Sequence, residues 1–366
     1  MAATSGPISP ARRAIQLAIE QHPAIGRFKL SYWSLDDAVA GSFSQERGIQ
    51  NVSWMADVPR VLAMIGPYNS SVADVAIPVA NKNDLVMISP SSTNLCLTQL
   101  GPPCHRTAAL FRPSGHINFF RLAPPDLAQG VAMARYAASK LGLKRVAVIN
   151  EEQDDGDIII QHFKLELERL GGSVVLREDV EAGTADFKDF LFRAHQSQVQ
   201  AIYAIGGADI CAARAQMWDD GVVLGTDGFA DDTDCLEQAG SNISSIFATK
   251  PDVDITVSSD PDAIKAVQAF RKAYPDSKIP NYTFAVYDCA RILIAALEEA
   301  VHAAHGNLPN RRQVLDAVAQ IQFQGVTGTY EFDANGDAKA PLMEMFSVEN
   351  GKWVNKGKID ATAVPA

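Results

Sequence analysis

Two clusters of hydroxyl side chains stand where a ligand's anionic group could be bound. Ser70 follows the apolar residues 61–65, and Ser92 and Thr93 follow the apolar residues 85–88. Hydroxyl groups, together with the unpaired backbone N–H groups at the start of a helix, form a binding site for a carboxylate or another anion. The two clusters therefore predict an anion site.

The elements that position these hydroxyl groups are those of a βαβ unit. Residues 61–65 and 85–88 predict two short strands buried on both faces. Between them, residues 71–82 carry apolar side chains at helical spacing. Both hydroxyl clusters then leave the carboxyl ends of neighbouring parallel strands, which is the edge where open α/β sheets bind ligands.

Strands and helices alternate through most of the remaining chain, which indicates an α/β fold with doubly wound parallel sheets. Further strands are predicted at residues 27–33, 145–150, 173–176, 201–205 and 222–224. The length of 366 residues suggests two domains. We predict one lobe from residues 1–121 and 251–328, and a second lobe from residues 122–250 and 329–366.

The composition and the missing motifs exclude several classes of function. A net charge of -11 argues against nucleic acid as a partner, because its phosphates would be repelled. No apolar run approaches the roughly 20 residues of a membrane span, so the chain is not predicted to cross a membrane. The sequence contains no GxSxG, HExxH or CxxC motif, so we predict no enzyme activity, no metal and no cofactor.

Several segments resemble the type I periplasmic binding proteins of the leucine/isoleucine/valine-binding class. In chain order they are IGPYNSS, ISPSSTNLCLT, FFRLAPPDLAQG, RVAVINEEQDDGD, DFKDFLFRA, IYAIGG, FAVYDCARILIAALEEA and TGTYEFDANGD. The resemblance implies two Rossmann-like lobes, joined by three crossings, that close on one small molecule. It also implies an ABC transporter permease as the partner that receives the ligand. The alternative is a ligand-sensing receptor domain of the same fold, and neighbouring genes for a permease or for a kinase would distinguish the two.

The resemblance also assigns roles to single residues. Ser70 matches the serine that meets the ligand carboxylate, and Ser92 and Thr93 match the pair that binds the α-carboxylate and α-amino groups. Asp227 matches an acidic residue that pairs with the ligand ammonium group, which is a strong, charge-assisted interaction. Further candidate ligand contacts are Asn69, Ser91, Asp155, Asp209 and Tyr282.

Two of these candidates depart from the family pattern. Asp155 and Asp209 lie near positions where proteins that bind branched-chain amino acids carry aromatic residues, so the ligand is expected to be more polar, or to be another amine. Each candidate also has a structural alternative. The hydroxyl groups and Asp227 suit turns, Asp155 and Asp209 suit helix caps, and Tyr282 suits a packed core.

The five cysteines are interpreted as two disulfides and one buried thiol. We predict the pairs Cys96–Cys104 and Cys211–Cys235, with Cys289 reduced, and the alternative is five reduced, packed thiols. Disulfides suit an exported protein, periplasmic or extracellular, whose export signal is absent from this chain. Only MAATSGPIS precedes the helix expected from Pro10, so we also expect a truncated N-terminus that has lost a leader and a first strand.

Overall fold

The computed structural model describes residues 9–40, 42–101, 104, 106–151, 153–181, 184, 186–206, 210, 221–227, 236, 245–340 and 342–362, and for 153–155 and 342 the backbone alone. The chain divides into two compact units, Met1–Pro124 with Asp252–Ala340, and Pro125–Pro251 with Pro341–Ala366. The chain therefore passes from one unit to the other three times, which is the number of crossings predicted.

The helices and strands have the following bounds. The helices are α1 Pro10–Gln21, α2 Gln45–Asp57, α3 Ser70–Asn81, α4 Ala108–Phe111, α5 Leu127–Ser139, α6 Gln153–Arg169, α7 Lys188–Gln196, α8 Pro261–Ala273, α9 Thr283–Ala303 and α10 Arg311–Ala319. The strands are β1 Ala24–Ile25, β2 Phe28–Lys29, β3 Ala38–Val39, β4 Ser42–Phe43, β5 Ala63–Ile65, β6 Val86–Ser89, β7 Phe119–Arg121, β8 Arg145–Asn150, β9 Ser173–Asp179, β10 Ala201–Ile205, β11 Val222–Gly225, β12 Ile246–Lys250, β13 Phe323–Gln324, β14 Thr329–Tyr330, β15 Leu342–Glu349 and β16 Lys352–Asp360.

The first unit is built on the parallel sheet β5–β6–β7. Successive residues of β6 point to opposite faces. Ile88 packs with α1, α8, α9 and α10 on one side, and Met87 packs with α2 and α3 on the other. The sheet is therefore covered on both faces, which explains why its strands are apolar throughout.

The predicted strand at residues 27–33 was wrong for most of its length. Only Phe28–Lys29 is a strand, and it pairs antiparallel with Ala24–Ile25 instead of joining the parallel sheet. The strand propensity of a short segment does not specify which strand it pairs with. Here Phe28–Lys29 pairs with the neighbouring β1.

The second unit contains a seven-stranded sheet in the order β16–β15–β12–β11–β10–β8–β9. Strands β8 to β12 are parallel, and β15 and β16 add two antiparallel strands at one edge. Helices α5 and α6 cover one face. They approach closely at Gly130, where any side chain would overlap the backbone carbonyl of Ile159.

The boundary between the units differs from the prediction at residue 328. Residues 329–340 belong to the first unit, because the turn after β14 binds the end of β7. The Arg121 amide donates to the Gly336 carbonyl oxygen at 3.1 Å, and the rings of Phe120 and Phe332 pack with centroids 5.0 Å apart. The other two crossings fall at 124/125 and 251/252, within three residues of the predicted positions.

Candidate ligand-binding site

The hydroxyl clusters of the first unit lie together at the carboxyl edge of its sheet, after β5 and β6. The Ser70 hydroxyl oxygen accepts hydrogen bonds from the amides of Thr93 and Asn94, at 3.2 and 3.3 Å. The first residue of α3 therefore binds the turn that follows β6, although 23 residues separate Ser70 from Thr93 along the chain.

These two bonds determine what Ser70 can offer a ligand. A hydroxyl group has two acceptor lone pairs and one proton. The two amides occupy both lone pairs, and among the described residues the Ser70 proton has no acceptor. Since Ser70 is half-buried, its hydroxyl proton is available as a hydrogen-bond donor, the kind of group that binds a carboxylate. Ligand contact by Ser70 stays a prediction.

Thr93 offers a second free hydroxyl group. Its side chain is half-buried, and within the described part of the chain its hydroxyl group makes no hydrogen bond, whereas its amide is bound by Ser70. Among the described residues of this turn and of the start of α3, Ser70 and Thr93 therefore have hydroxyl groups available to a ligand.

Asn69, Ser91 and Ser92 bind their own unit. The Asn69 carboxamide oxygen accepts from the Ser71 amide at 2.9 Å and caps α3. Ser91 donates to the Tyr68 carbonyl oxygen at 2.8 Å, and the fully buried Ser92 donates to the Pro67 carbonyl oxygen at 3.1 Å. These bonds match the structural alternative, a cap and turn hydroxyls. Ligand contact by these three residues stays a prediction.

Tyr282 lies beside this edge and begins α9 in the left-handed conformation, with φ of 61°. Its amide donates to a carboxylate oxygen of Asp252 at 2.6 Å, and its ring packs edge-on against Tyr68 with centroids 5.7 Å apart. A left-handed residue that is not glycine costs about 1–3 kcal/mol, and such strain is concentrated at functional sites. The buried ring also matches core packing, so ligand contact by Tyr282 stays a prediction as well.

In the second unit, the residue predicted to bind the ammonium group is held by a buried glutamine. Gln129 donates from Nε2 to the Asp227 carboxylate at 2.9 Å and accepts from the Asp227 amide at 3.0 Å. Thr249 donates to the same Gln129 oxygen at 2.9 Å. Because the backbone amide of Asp227 can only donate, it identifies the oxygen end of the carboxamide, so the NH2 end faces the carboxylate. Asp227 itself is half-buried at the end of β11. Asp227 is thus a positioned carboxylate, as an ammonium site needs.

Sequence reasoning missed Gln129 and Thr249. The two residues lie 98 and 22 residues from Asp227 along the chain, so no local spacing links them. The one available signal was the segment FFRLAPPDLAQG, in which Gln129 is the last residue before a glycine.

The other candidates of the second unit have little structural description. The backbone of Asp155 lies in the first turn of α6, directly after β8. Asp209, Cys211 and Cys235 lie outside the described residues, so the predicted Cys211–Cys235 disulfide stays a prediction.

The predicted Cys96–Cys104 disulfide is confirmed. Cys96 lies in the single helical turn Leu95–Leu97, which follows the Ser92–Asn94 turn directly, and its amide donates to the Asn94 side chain at 2.8 Å. The buried Cys289 is reduced, as expected.

Comparisons with known proteins find the same fold in proteins that bind small molecules. A family model described as "Periplasmic binding protein" matches residues 2–352. Leu/Ile/Val-binding protein homolog 1 of Brucella abortus (strain 2308) is 27% identical over 294 residues, which span 79% of this chain and 72% of that protein. The leucine binding protein LivK of Thermotoga maritima MSB8 has a TM-score of 0.73 at 26% identity, with 98% of this chain and 97% of that chain covered. An ABC transporter solute binding protein from R. palustris, in complex with benzoate, has a TM-score of 0.69 at 20% identity, with 100% and 96% covered.

Two α/β units with polar turns at strand ends, together with these matches, define a solute-binding protein and not an enzyme. The chain belongs to the periplasmic binding protein family and has its type I fold. Within that family it is similar to the leucine/isoleucine/valine-binding proteins. The family implies a location outside the cytoplasm. Across the described residues, no helix has both the length and the apolar character needed to span a membrane.

Proposed function

We propose that this protein captures a small amino acid, or a related ligand with an amine and a carboxylate, and delivers it to an ABC transporter permease. The observation that carries the proposal is the hydrogen bonding of the Ser70 hydroxyl group. Both of its lone pairs are occupied by the Thr93 and Asn94 amides, so its proton is what remains for a ligand.

The two ends of the ligand are assigned to different units. Ser70 and Thr93, on the first unit, bind the carboxylate, and Asp227, on the second unit, binds the ammonium group. Capture between two closing lobes, as the family resemblance implies, is part of the same proposal. A ligand with both charges makes both sets of bonds, so zwitterions are selected over simple acids and amines.

Similarity supports an amino acid as the ligand class, since the Brucella relative is named for leucine, isoleucine and valine and the Thermotoga protein for leucine. Asp155 and Asp209, where aromatic residues were expected from the family pattern, support a more polar amino acid than these. The R. palustris protein is the solute binding protein of an ABC transporter, which supports delivery to a permease, and its bound benzoate makes an aromatic acid a useful comparison ligand.

A thermal-shift panel tests the proposal. Each of the twenty common amino acids, several of their amides, and benzoate are added separately at millimolar concentration. A ligand at 100 times its Kd stabilises the native state by about 2.7 kcal/mol, which corresponds to a rise in Tm of about 2–4 °C for a protein of this size. We expect at least one amino acid to produce this rise.

Two serine variants serve as a matched pair in the same panel. Ser70→Ala is expected to lose most of the rise in Tm. Ser71→Ala removes the neighbouring hydroxyl group, which binds Asn69 within the helix start, and is expected to keep it. The absence of any response from the parent protein across the whole panel would count against the proposed function.

A further inference from the structure

A completely buried guanidinium group lies behind the turn formed by Ser92, Thr93 and Asn94. Arg121, at the end of β7, has 0% of its surface exposed. Its Nε donates to the Asp337 carboxylate at 2.6 Å, and its NH2 donates to the Thr98 hydroxyl oxygen at 2.8 Å. Thr98 in turn donates to the other Asp337 oxygen at 3.0 Å, so the charge of Arg121 is balanced within the first unit.

The remaining guanidinium nitrogen binds the backbone of the turn. NH1 of Arg121 donates to the carbonyl oxygen of Asn94 at 2.7 Å and to that of Ser92 at 3.2 Å. Arg121 therefore contacts the turn through main-chain atoms, which leaves the side chain of Thr93 uninvolved.

The Ser92–Thr93 peptide group is consequently held from both sides. In a trans peptide the C=O and N–H bonds point in opposite directions. Arg121 binds the carbonyl oxygen of this peptide, and Ser70 accepts from its amide. Without Arg121, the carbonyl oxygens of Ser92 and Asn94 lose these hydrogen bonds. The amides of Thr93 and Asn94 are then held less firmly at the Ser70 oxygen.

We propose that Arg121 is the positioning residue of the ligand-binding turn, an inference that rests on the proposed function. It holds the Thr93 and Asn94 amides on the Ser70 oxygen, which keeps the Ser70 proton directed to other acceptors. Arg121 does not contact the ligand, because it is fully buried and all three of its nitrogens are engaged.

Amide hydrogen exchange of the ligand-free protein tests this inference directly. In Arg121→Lys, whose ammonium group cannot make the planar set of bonds, exchange at Thr93 and Asn94 is expected to accelerate at least tenfold. The matched control is Arg311→Lys, since Arg311 also donates to backbone carbonyl groups, those of Met55, Val58 and Val61, at a different part of the first unit. The control is expected to leave exchange at Thr93 and Asn94 unchanged. Unchanged exchange in a folded Arg121→Lys protein overturns the inference.

If Arg121→Lys does not fold, Thr98→Val and Asp337→Asn replace it, because each removes one partner of Arg121 and retains the arginine. Each is expected to accelerate exchange at Thr93 and Asn94 at least threefold. Exchange at the parent rate in both variants overturns the inference equally.

Calorimetric titrations with L-leucine, L-lysine and benzoate separate a positioning role from a purely structural one. For a probe that the parent binds, Arg121→Lys is expected to raise Kd at least tenfold relative to the parent. Added to Ser70→Ala, the same substitution is expected to raise Kd less than twofold relative to Ser70→Ala alone. A structural role predicts equal losses in both backgrounds, and that result overturns the inference. If none of the three probes binds the parent, the proposed function loses support, while the exchange rates still decide the role of Arg121.

Discussion

Asp37→Asn is expected to stabilise the first unit by about 3 kcal/mol at pH 7.5. Asp37 is fully buried, and neither of its carboxylate oxygens has a hydrogen-bond partner among the described residues. Burial raises the pKa of Asp37 from 3.8 to about 6, and the adjacent charge of Asp36 adds to the increase. A pKa difference of this size corresponds to about 3 kcal/mol of unfavourable free energy once the group is ionised.

The pH dependence follows from the direction of this pKa change. In the unfolded chain Asp37 ionises near pH 4, and in the folded protein it ionises near pH 6. Unfolding therefore releases a proton between these values, so stability falls as the pH rises through this window and is constant above it. The Asp37 contribution is favourable at pH 4 and has been lost at pH 7.5.

Denaturant unfolding at pH 5.0 and pH 7.5 measures both effects. The parent is expected to lose stability between the two pH values, and Asp37→Asn is expected to lose less by about 1–2 kcal/mol. Asp276→Asn is the matched control, because Asp276 is exposed in the same unit and its charge is not among those that raise the pKa of Asp37. An Asp37→Asn protein that is no more stable than the parent at pH 7.5 would show that the carboxylate is solvated or paired in solution.

Asp227→Asn is expected to weaken binding of an amino acid by about 10- to 100-fold. The substitution keeps the shape of the side chain and an oxygen for Gln129, but it removes the negative charge that pairs with the ammonium group. Bonds to charged groups contribute about 1.5–3 kcal/mol, and each 1.4 kcal/mol is a factor of ten in Kd.

Titration calorimetry with the amino acid that gives the largest thermal shift, and with its deaminated acid, measures this effect. The loss is expected for the amino acid alone, because the acid has no ammonium group to bind. Asp189→Asn makes the same change in net charge on an exposed face of α7 and is expected to bind like the parent. Equal Kd values for the amino acid in Asp227→Asn and parent would remove the role assigned to Asp227.

The parts of the fold that depend on local pattern were predictable. The strands at 61–65 and 85–88 are continuous apolar runs, and the helix between them has apolar residues at helical spacing. The two hydroxyl clusters were therefore correctly placed at the carboxyl edge of the sheet. The predicted strand at 27–33 shows where this reasoning ends, since its partner is chosen by the tertiary structure.

The bonds that distinguish the candidate residues could not be predicted. Ser70, Ser91 and Ser92 are equivalent in a sequence, but of these three only Ser70 has a proton without an acceptor among the described residues. Arg121 and Asp337 are 216 residues apart, and no periodicity links them. The burial of Asp37 could not be predicted either, because a pair of aspartates after a strand is the usual pattern of an exposed turn.

The most direct measurement is calorimetric titration of the parent protein with three related ligands. They are the amino acid with the largest thermal shift, its α-carboxamide, and its deaminated acid. Recognition of both charged ends predicts that each analogue binds at least about tenfold more weakly than the amino acid. An analogue that binds as tightly as the amino acid would contradict the assignment of the end that it lacks.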